Sequence, residues 1–191
     1  WADLASYLDW SGLRPMTELE YEKACRGTLA AVANECAWGT TSATAATGVT
    51  NAGLANEVAS NVGANVCYNS SYTAGPVRVG MFAGAATTRA QAGATFYGIM
   101  EMTGNIWERA ISMSNAEGRS FAGTHGDGTL ATTGEANVTS WPANTTAVGT
   151  RLKGGSFNST LTYLNVSDRL DLADLSSRAV NYGGRGIRTA P

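Results

Sequence analysis

The residue types best suited to chemistry are concentrated near the C-terminus, in residues 157–183. This stretch is rich in Asn, Ser, Thr, Asp and Tyr, and it lacks the Lys, Glu, Gln, Met and Trp that occur upstream. Tyrosine rings give rigid contact area at low entropic cost, and short amides and hydroxyls give adaptable hydrogen bonds, a mixture typical of antibody paratopes. We therefore predict a ligand-binding surface here. Its side chains are Asn158, Ser159, Thr160, Thr162, Tyr163, Asn165, Ser167, Asp168, Asp171, Asp174, Ser176, Ser177, Asn181 and Tyr182.

Three aspartates of this stretch, Asp168, Asp171 and Asp174, recur at a spacing of three residues among leucines. Such spacing fits a turn of helix with an acidic face. We interpret the acidic face as a solvated rim rather than a metal site.

The remaining candidates for metal or thiol chemistry are sparse. Cys25, Cys36 and Cys67 share no metal-binding spacing, and His125 is the single histidine, so a structural zinc site is disfavoured. Buried reduced thiols are the favoured interpretation, with one disulfide and a leftover thiol as the alternative. The redox compartment stays open.

A turn around Gly104 carries two possible calcium ligands, Asn105 and Glu108. Amide and carboxylate oxygens suit that ion. The favoured interpretation is a turn-forming amide and a salt-bridged glutamate, so we predict no cofactor and keep calcium as a possibility.

Two helices are expected to open the chain and position these groups. Thr17 and Glu20 have the spacing of a capping box, and Gly27 follows as a stop signal. Residues 3–10 fit an amphipathic helix whose apolar positions are Leu4, Tyr7, Leu8 and Trp10.

Beyond the helices, residues 40–74 and 112–150 show little periodicity and are predicted to be long ordered loops. Four aromatic side chains are available to pin them, namely Trp38, Tyr68, Trp107 and Trp141.

Length and composition narrow the classes of protein. A chain of 191 residues with 43% hydrophobic content fits a single domain over residues 1–191. A net charge of −2 and dispersed basic residues argue against nucleic-acid binding, and no apolar run is long enough to span a bilayer.

The chain begins at Trp1 rather than Met, which fits a fragment that lacks an N-terminal region. Localisation is open, with the cell surface, secretion or a virion expected.

Six motifs in series resemble the formylglycine-generating-enzyme (sulfatase-modifying factor) family. They occupy residues 13–27, 38–39, 75–80, 97–108, 153–157 and 186–188. The resemblance implies an α+β, C-type-lectin-like fold of the formylglycine-generating-enzyme type, with two helices, small twisted antiparallel sheets and long ordered loops.

The same resemblance argues against catalysis. Oxidase members of the family use two cysteines after the Gly-Gly-Ser segment to bind copper, and the matching positions here are Ser159 and Leu164. Neither side chain can supply a thiolate. The iron-dependent branch needs a histidine cluster, which His125 alone cannot provide. We therefore expect no enzymatic activity of either kind.

A non-enzymatic branch fits better, because the chain resembles the variable proteins of diversity-generating retroelements. In that branch the C-terminal segment is rewritten at template adenines, and the accessible residues exclude the five types missing from 157–183. The resemblance implies a receptor-type protein whose ligand is a protein or glycan on another cell or a host surface. The alternative explanation of the composition is an ordinary loop.

Two other functions stay open. One is a metal-dependent, oxidase-like enzyme of the same family that uses different residues, for example a pocket built from Glu108, Arg109 and His125. The other is a structural or virion assembly module.

Framework roles are predicted for the basic and glycine residues that frame the segment. Arginine forks are expected to bridge carbonyls or carboxylates, and glycines to allow close backbone approach. These residues are Arg169, Arg178, Arg185, Arg188, Gly154, Gly155, Gly183, Gly184 and Gly186.

Overall fold

A computed structural model describes residues 1–72, 75–170 and 173–189. The described chain is α+β, with short helices, small sheets and much irregular structure. In chain order its elements are α1 (Ala2–Trp10), β1 (Arg14–Pro15), α2 (Glu18–Arg26), β2 (Val49–Thr50), β3 (Val58–Ala59), β4 (Trp107–Ile111), α3 (Ala116–Arg119), β5 (Thr150–Lys153), a 3-10 turn (Leu161–Leu164), β6 (Tyr182–Gly183) and β7 (Gly186–Ile187).

The strands form three small sheets. Strands β1 and β7 pair antiparallel, with Arg14 opposite Ile187, and β2 pairs antiparallel with β3. The third sheet has the order β5-β4-β6. The expectation of small sheets is therefore confirmed.

Helix α2 begins as its sequence predicts. The Thr17 hydroxyl accepts a hydrogen bond from the Glu20 backbone N–H at 3.1 Å, and the Glu20 carboxylate accepts one from the Thr17 N–H at 2.9 Å. This reciprocal pair is a capping box. The helix ends at Gly27, whose φ of +63° closes the last turn through a bond from its N–H to the Lys23 carbonyl.

Helix α1 confirms the other predicted helix, but its apolar face is narrower than expected. Leu8 is fully buried, whereas Tyr7 and Trp10 are 54% and 63% exposed. The two exposed rings lie 6.2 Å apart between centroids. Outward-facing aromatics on a helix leave contact area available to a ligand.

Two elements correct the expectation of two helices joined by loops. A third, one-turn helix, α3, lies within 112–150 and is capped by the side chain of Asn115, which accepts from the Gly118 N–H at 2.9 Å. A two-residue hairpin of β2 and β3 lies within 40–74. Both depend on tertiary and capping contacts rather than on hydrophobic periodicity.

The predicted acidic helix turn is wrong for the residues that the structure describes. Residues 168–170 and 173–175 are not helical, and Asp174 has a φ of +54°. The Asp174 N–H bonds instead to the Thr150 carbonyl at 2.9 Å, while Asp168 closes a turn onto Asn165. Asp171 lies outside the described residues.

Contacts divide the chain into two compact units. The first unit comprises Trp1–Tyr21, Glu108–Leu152 and Leu170–Pro191, and the second comprises Glu22–Trp107 and Lys153–Arg169. Whether residues 1–191 act as a single domain stays a prediction.

Each unit has a hydrophobic cluster of its own. In the first unit the buried cluster is Trp1, Ala5, Leu8, Ile111, Trp141 and Ala147. In the second unit it is Ala46, Ala64, Cys67, Val77, Met81 and Phe82.

Aromatic side chains pin the loops of both units. In the second unit, the Trp38 indole N–H bonds to the Ser42 carbonyl at 2.9 Å, and in the first the Trp141 indole bonds to the Thr124 carbonyl at 2.9 Å. Both rings are buried. In the described part of the chain, no helix has the length and apolar character needed to cross a membrane.

Candidate functional site

The predicted binding segment, residues 157–183, is divided between the two units. Residues 157–169 belong to the second unit and residues 170–183 to the first. We call these the near half and the far half of the segment.

The near half begins with three main-chain hydrogen bonds. The Phe157 N–H donates to the Asn105 carbonyl at 2.7 Å, and the Phe157 carbonyl accepts from the Ser70 N–H at 2.8 Å. The Ser159 carbonyl accepts from the Asn69 N–H at 2.8 Å. None of these bonds depends on the side chain that the segment carries.

The remainder of the near half is also held through main-chain atoms. The Val166 N–H donates to the Glu35 carbonyl at 2.8 Å. The Asp168 carbonyl accepts from the ammonium of Lys153 at 2.5 Å, and Lys153 is only 1% exposed. A buried cation therefore fixes the end of this half by a charge-assisted bond.

Three side chains of the near half belong to the interior of the second unit. Leu164 and Val166 are fully buried, and Ser159 is 7% exposed with its hydroxyl 2.9 Å from that of Ser156. Ser159 is thus a predicted ligand contact that the structure places inside a turn. The Tyr163 ring packs edge-on against Trp107 at 5.5 Å between centroids.

The other predicted contacts of the near half are accessible. Asn158, Thr160, Thr162 and Ser167 are exposed, and Tyr163, Asn165 and Asp168 are half-buried. Thr162 and Asn165 line a cavity of about 380 Å³ together with Asn34.

The far half is held by Arg109 on β4. Its two terminal nitrogens donate to the Leu175 carbonyl at 2.5 Å and to the Ser177 carbonyl at 2.7 Å. Arg109 is 4% exposed, and burial lowers the pKa of its guanidinium from the ordinary value. Sequence reasoning missed this role, because nothing in a linear pattern indicates which carbonyls an arginine reaches.

No described side chain from 173 to 183 is buried. Asp174, Ser176 and Ser177 are exposed, whereas Asn181 and Tyr182 are half-buried. Asp174 has a structural contact as well, since its carboxylate accepts from the Gly149 N–H at 2.8 Å.

A cavity of about 410 Å³ lies beside the far half, within the first unit. Ser177 and Tyr182 of the predicted site line it, and the Tyr182 ring centre lies 5.4 Å from the Arg109 guanidinium carbon. Leu4 and Tyr7 of α1 also line it. No signal for this contact was present in the sequence, because Tyr7 occupies an apolar position of the predicted helix and its 54% exposure emerges only in the structure.

The framework arginines behave largely as predicted. Arg185 donates from Nε to the Glu108 carboxylate at 2.8 Å, and Arg178 forms a two-bond fork with Asp3 at 2.6 Å for each bond. Arg169 pairs with Glu22. Arg188 lines a second cavity, which also contains His125.

Two glycines of the frame allow close contacts that a side chain would block. A Cβ at Gly155 would lie 2.7 Å from Leu164, and one at Gly184 would clash with Leu4. These contacts confirm the close packing predicted at the two ends of the segment.

The turn at Asn105 confirms the structural interpretation of that amide. Its oxygen accepts from the Val77 N–H at 2.7 Å, and its nitrogen donates to the Val77 carbonyl at 3.0 Å. Glu108 is salt-bridged to Arg185, also as predicted. Burial raises the pKa of Glu108, and the charge of Arg185 opposes that shift. The expectation of no cofactor, with calcium as a possibility, stays a prediction.

The residues considered for catalysis on the basis of the sequence are buried or line different cavities. Leu164 is fully buried, and the thiols lie in the interior. Burial, together with Glu35, raises the pKa of Cys36 to about 12, and burial raises that of Cys67 to about 11. Arg109 and His125 line different cavities, so the structure does not assemble the alternative pocket of Glu108, Arg109 and His125.

Within residues 1–72, 75–170 and 173–189, no group of three or more His, Cys, Asp or Glu side chains could hold a metal ion.

The fold and the site together define a small α+β protein with a loop-built C-terminal segment framed by glycines and arginines. The family model of the sulfatase-modifying factor enzyme 1-like domain matches residues 1–190, so the chain belongs to that family. No curated protein and no solved structure matches the chain.

Proposed function

We propose that this chain is a non-catalytic, receptor-type binding protein with a C-type-lectin-like fold, whose 157–183 segment is diversified by a retroelement. The observation that carries the proposal is the way in which the segment is held. Asn69, Ser70 and Asn105 bond to main-chain atoms of the near half, and Arg109 bonds to main-chain atoms of the far half. A segment held in this way keeps its path when its exposed side chains change.

The exposed side chains supply the matching chemistry. Asn158, Thr160, Thr162 and Ser167 in the near half, and Ser176 in the far half, combine exposure with short polar groups. Such groups adapt their hydrogen bonds to different ligands. The proposed ligand is a protein or glycan on another cell or a host surface.

A non-catalytic role is supported by the state of the thiols and of the two family positions. A thiolate is the reactive form of cysteine, and the raised pKa values of Cys36 and Cys67 keep both thiols protonated at neutral pH. Ser159 is occupied by hydrogen bonds to Ser156, and Leu164 is an apolar core residue.

The direct test of diversification is sequencing around the gene. We expect a reverse-transcriptase gene and a near-copy of the DNA encoding residues 154–188 that differs from the gene at adenines. Sibling genes should vary at exposed positions of the segment and stay constant at Leu164 and Val166. A neighbourhood without such a copy, with siblings that vary evenly along the chain, would contradict the proposal.

The binding role has an independent test. A display library is randomised at Asn158, Thr160, Thr162, Ser176 and Ser177, and a control library is randomised at five exposed positions outside the segment. We expect selection on an arbitrary protein target to yield binders from the first library only. Equal yields from both libraries would contradict a special binding role for the segment. Burial of the randomised positions in a stable oligomer would favour the assembly alternative.

A further inference from the structure

The cavity beside the far half contains a buried cation that pairs with no carboxylate of the described chain. Arg109 is 4% exposed, and its bonds go to the carbonyls of Leu175 and Ser177. Glu108, its neighbour in sequence, pairs with Arg185. Asp3, which lines the same cavity, accepts two hydrogen bonds from Arg178.

The charges that line the cavity leave an excess of one positive side chain. Arg109 and Arg178 are cations, and Asp3 is an anion whose pKa is lowered by its hydrogen bond to Arg178. The Arg178–Asp3 pair is solvent-exposed, and Asp3 also attracts Arg109 electrostatically. One carboxylate is thus shared by two cations, of which Arg109 is the buried one. Burial of an incompletely compensated charge is costly, and a bound anion would relieve that cost.

Arg109 lines the cavity and donates to two carbonyls, and a guanidinium has more N–H groups than those two bonds use. Its planar fork suits the two oxygens of a carboxylate. A single excess positive charge matches a monoanion better than a phosphate dianion.

The rest of the cavity wall is mainly apolar. Leu4 and Ala179 line it, together with the rings of Tyr7 and Tyr182. An apolar wall beside a carboxylate-binding fork favours a ligand whose carboxylate is attached to an apolar body, as at the C-terminus of a peptide that ends in a large apolar residue. A sugar acid would place most of its hydroxyls against the apolar atoms of that wall, where fewer hydrogen-bond partners are present.

We propose that this cavity is a carboxylate-binding site that recognises the C-terminal carboxylate of a partner protein ending in an apolar or aromatic residue. The inference rests on the proposed binding function and adds a fixed element to it. Arg109 lies outside the 157–183 segment, so it supplies the same charge contact whatever side chains the segment carries. Tyr182 and Ser177 then tune which apolar body is accepted.

The test compares three small probes by NMR titration of the ¹⁵N-labelled protein. N-acetyl-L-phenylalanine carries the carboxylate and an apolar body, N-acetyl-L-phenylalanine amide keeps the body without the charge, and N-acetylneuraminic acid places a carboxylate on a polar body. We expect the first probe to shift the Arg109 Nε–H and the backbone amides of Ser177 and Gly183. The amide should bind at least about tenfold more weakly, because a hydrogen bond between charged groups is lost.

Two variants test whether Arg109 is the residue that binds the carboxylate of the probe. Arg109→Lys keeps the charge but loses the fork, and we expect it to weaken the acid about tenfold while leaving the amide unchanged. Arg78→Gln is the control, because Arg78 is a part-exposed arginine of the second unit that does not line this cavity. It should bind all three probes as the wild type does. The acid-to-amide ratio in the wild type provides the test even if the Arg109 variant folds poorly.

Three outcomes would overturn the inference: equal binding of the acid and the amide, tighter binding of N-acetylneuraminic acid, or shifts confined to residues away from this cavity. These outcomes are distinct from failure of the proposed function. If the acid fails to bind but the segment library yields binders, the carboxylate site is wrong and the binding function stands. If both fail, the binding function fails as well.

Discussion

The two halves of the 157–183 segment are fixed in different ways. The near half is held by main-chain bonds and also by buried side chains, of which Leu164 and Val166 are fully inaccessible. The far half has no buried side chain among its described residues 173–183, and its path depends on the bonds from Arg109 and on the Asp174 contacts. Substitutions should therefore cost little stability in the far half, whereas the near half should tolerate them only at positions whose side chains are not buried.

In both halves a buried cation donates a hydrogen bond to at least one main-chain carbonyl. Lys153 serves the Asp168 carbonyl in the second unit, and Arg109 serves the Leu175 and Ser177 carbonyls in the first. Since every residue has a carbonyl, this contact is independent of side-chain identity. The two halves thus share this backbone contact and differ in whether buried side chains hold them as well.

The largest expected effect tests the core role of the near half. Leu164→Ala should lower the free energy of unfolding by about 2–5 kcal/mol, because it removes a fully buried side chain and leaves a cavity. Leu170→Ala is the matched control, since Leu170 is 70% exposed and should change stability by less than about 0.5 kcal/mol. Chemical denaturation of both variants measures the difference. Similar losses in the two variants would break the distinction between core and surface positions.

A smaller effect is expected at the contact that holds the far half. Arg109→Gln should lower the free energy of unfolding by about 2 kcal/mol, because the Leu175 and Ser177 carbonyls lose charged donors. Amide hydrogen exchange should accelerate at residues 175–182. Arg119→Gln, which alters an exposed arginine of α3 in the same unit, should leave both the melting temperature and the exchange rates at residues 175–182 unchanged. Unchanged exchange in the Arg109 variant would show that this residue does not fix the far half.

The smallest effect is a pH dependence that originates at Glu108, next to Arg109 on β4. Burial raises the pKa of Glu108 above its ordinary value, so the folded state holds the proton more tightly than the unfolded state. Its contribution to stability is fully present below the unfolded pKa and is lost as pH rises through the folded pKa. As pH rises above the unfolded pKa of Glu108 and through its folded pKa, the free energy of unfolding of the wild type should therefore fall relative to that of the Glu108→Gln variant. If the difference in unfolding free energy between the two proteins does not change with pH, the raised pKa of Glu108 is contradicted.

Part of the fold could be predicted from local patterns. The Thr17–Glu20 capping box and the stop at Gly27 define α2, because capping depends on residues only a few positions apart. The turn amide at Asn105 and the salt bridge of Glu108 also followed from residue type. In contrast, the spacing of Asp168, Asp171 and Asp174 predicted a helix turn, and the described part of that stretch instead bonds to Thr150. A long-range main-chain bond overrode a weak local preference.

The candidate site, like the fold, could be predicted only in part from the sequence. Composition alone indicated a polar, tyrosine-bearing segment between residues 157 and 183, and its boundaries came from the flanking glycines and arginines. Composition could not show that Ser159 turns inward to Ser156, or that Tyr7 of α1 faces a cavity beside Tyr182. Those facts depend on which side of the backbone each residue faces once distant segments meet.

The sequence by itself determined the family, the capped helix and the kind of side chains that the C-terminal segment carries, because each is encoded in residue identity and short spacing. Only the tertiary structure decided that Arg109 reaches two carbonyls of the far half, that Leu164 lies in the core, and that a buried cation lines the cavity. The physical reason is that burial and hydrogen-bond partnership arise from contacts between residues far apart in the chain, which no local pattern specifies.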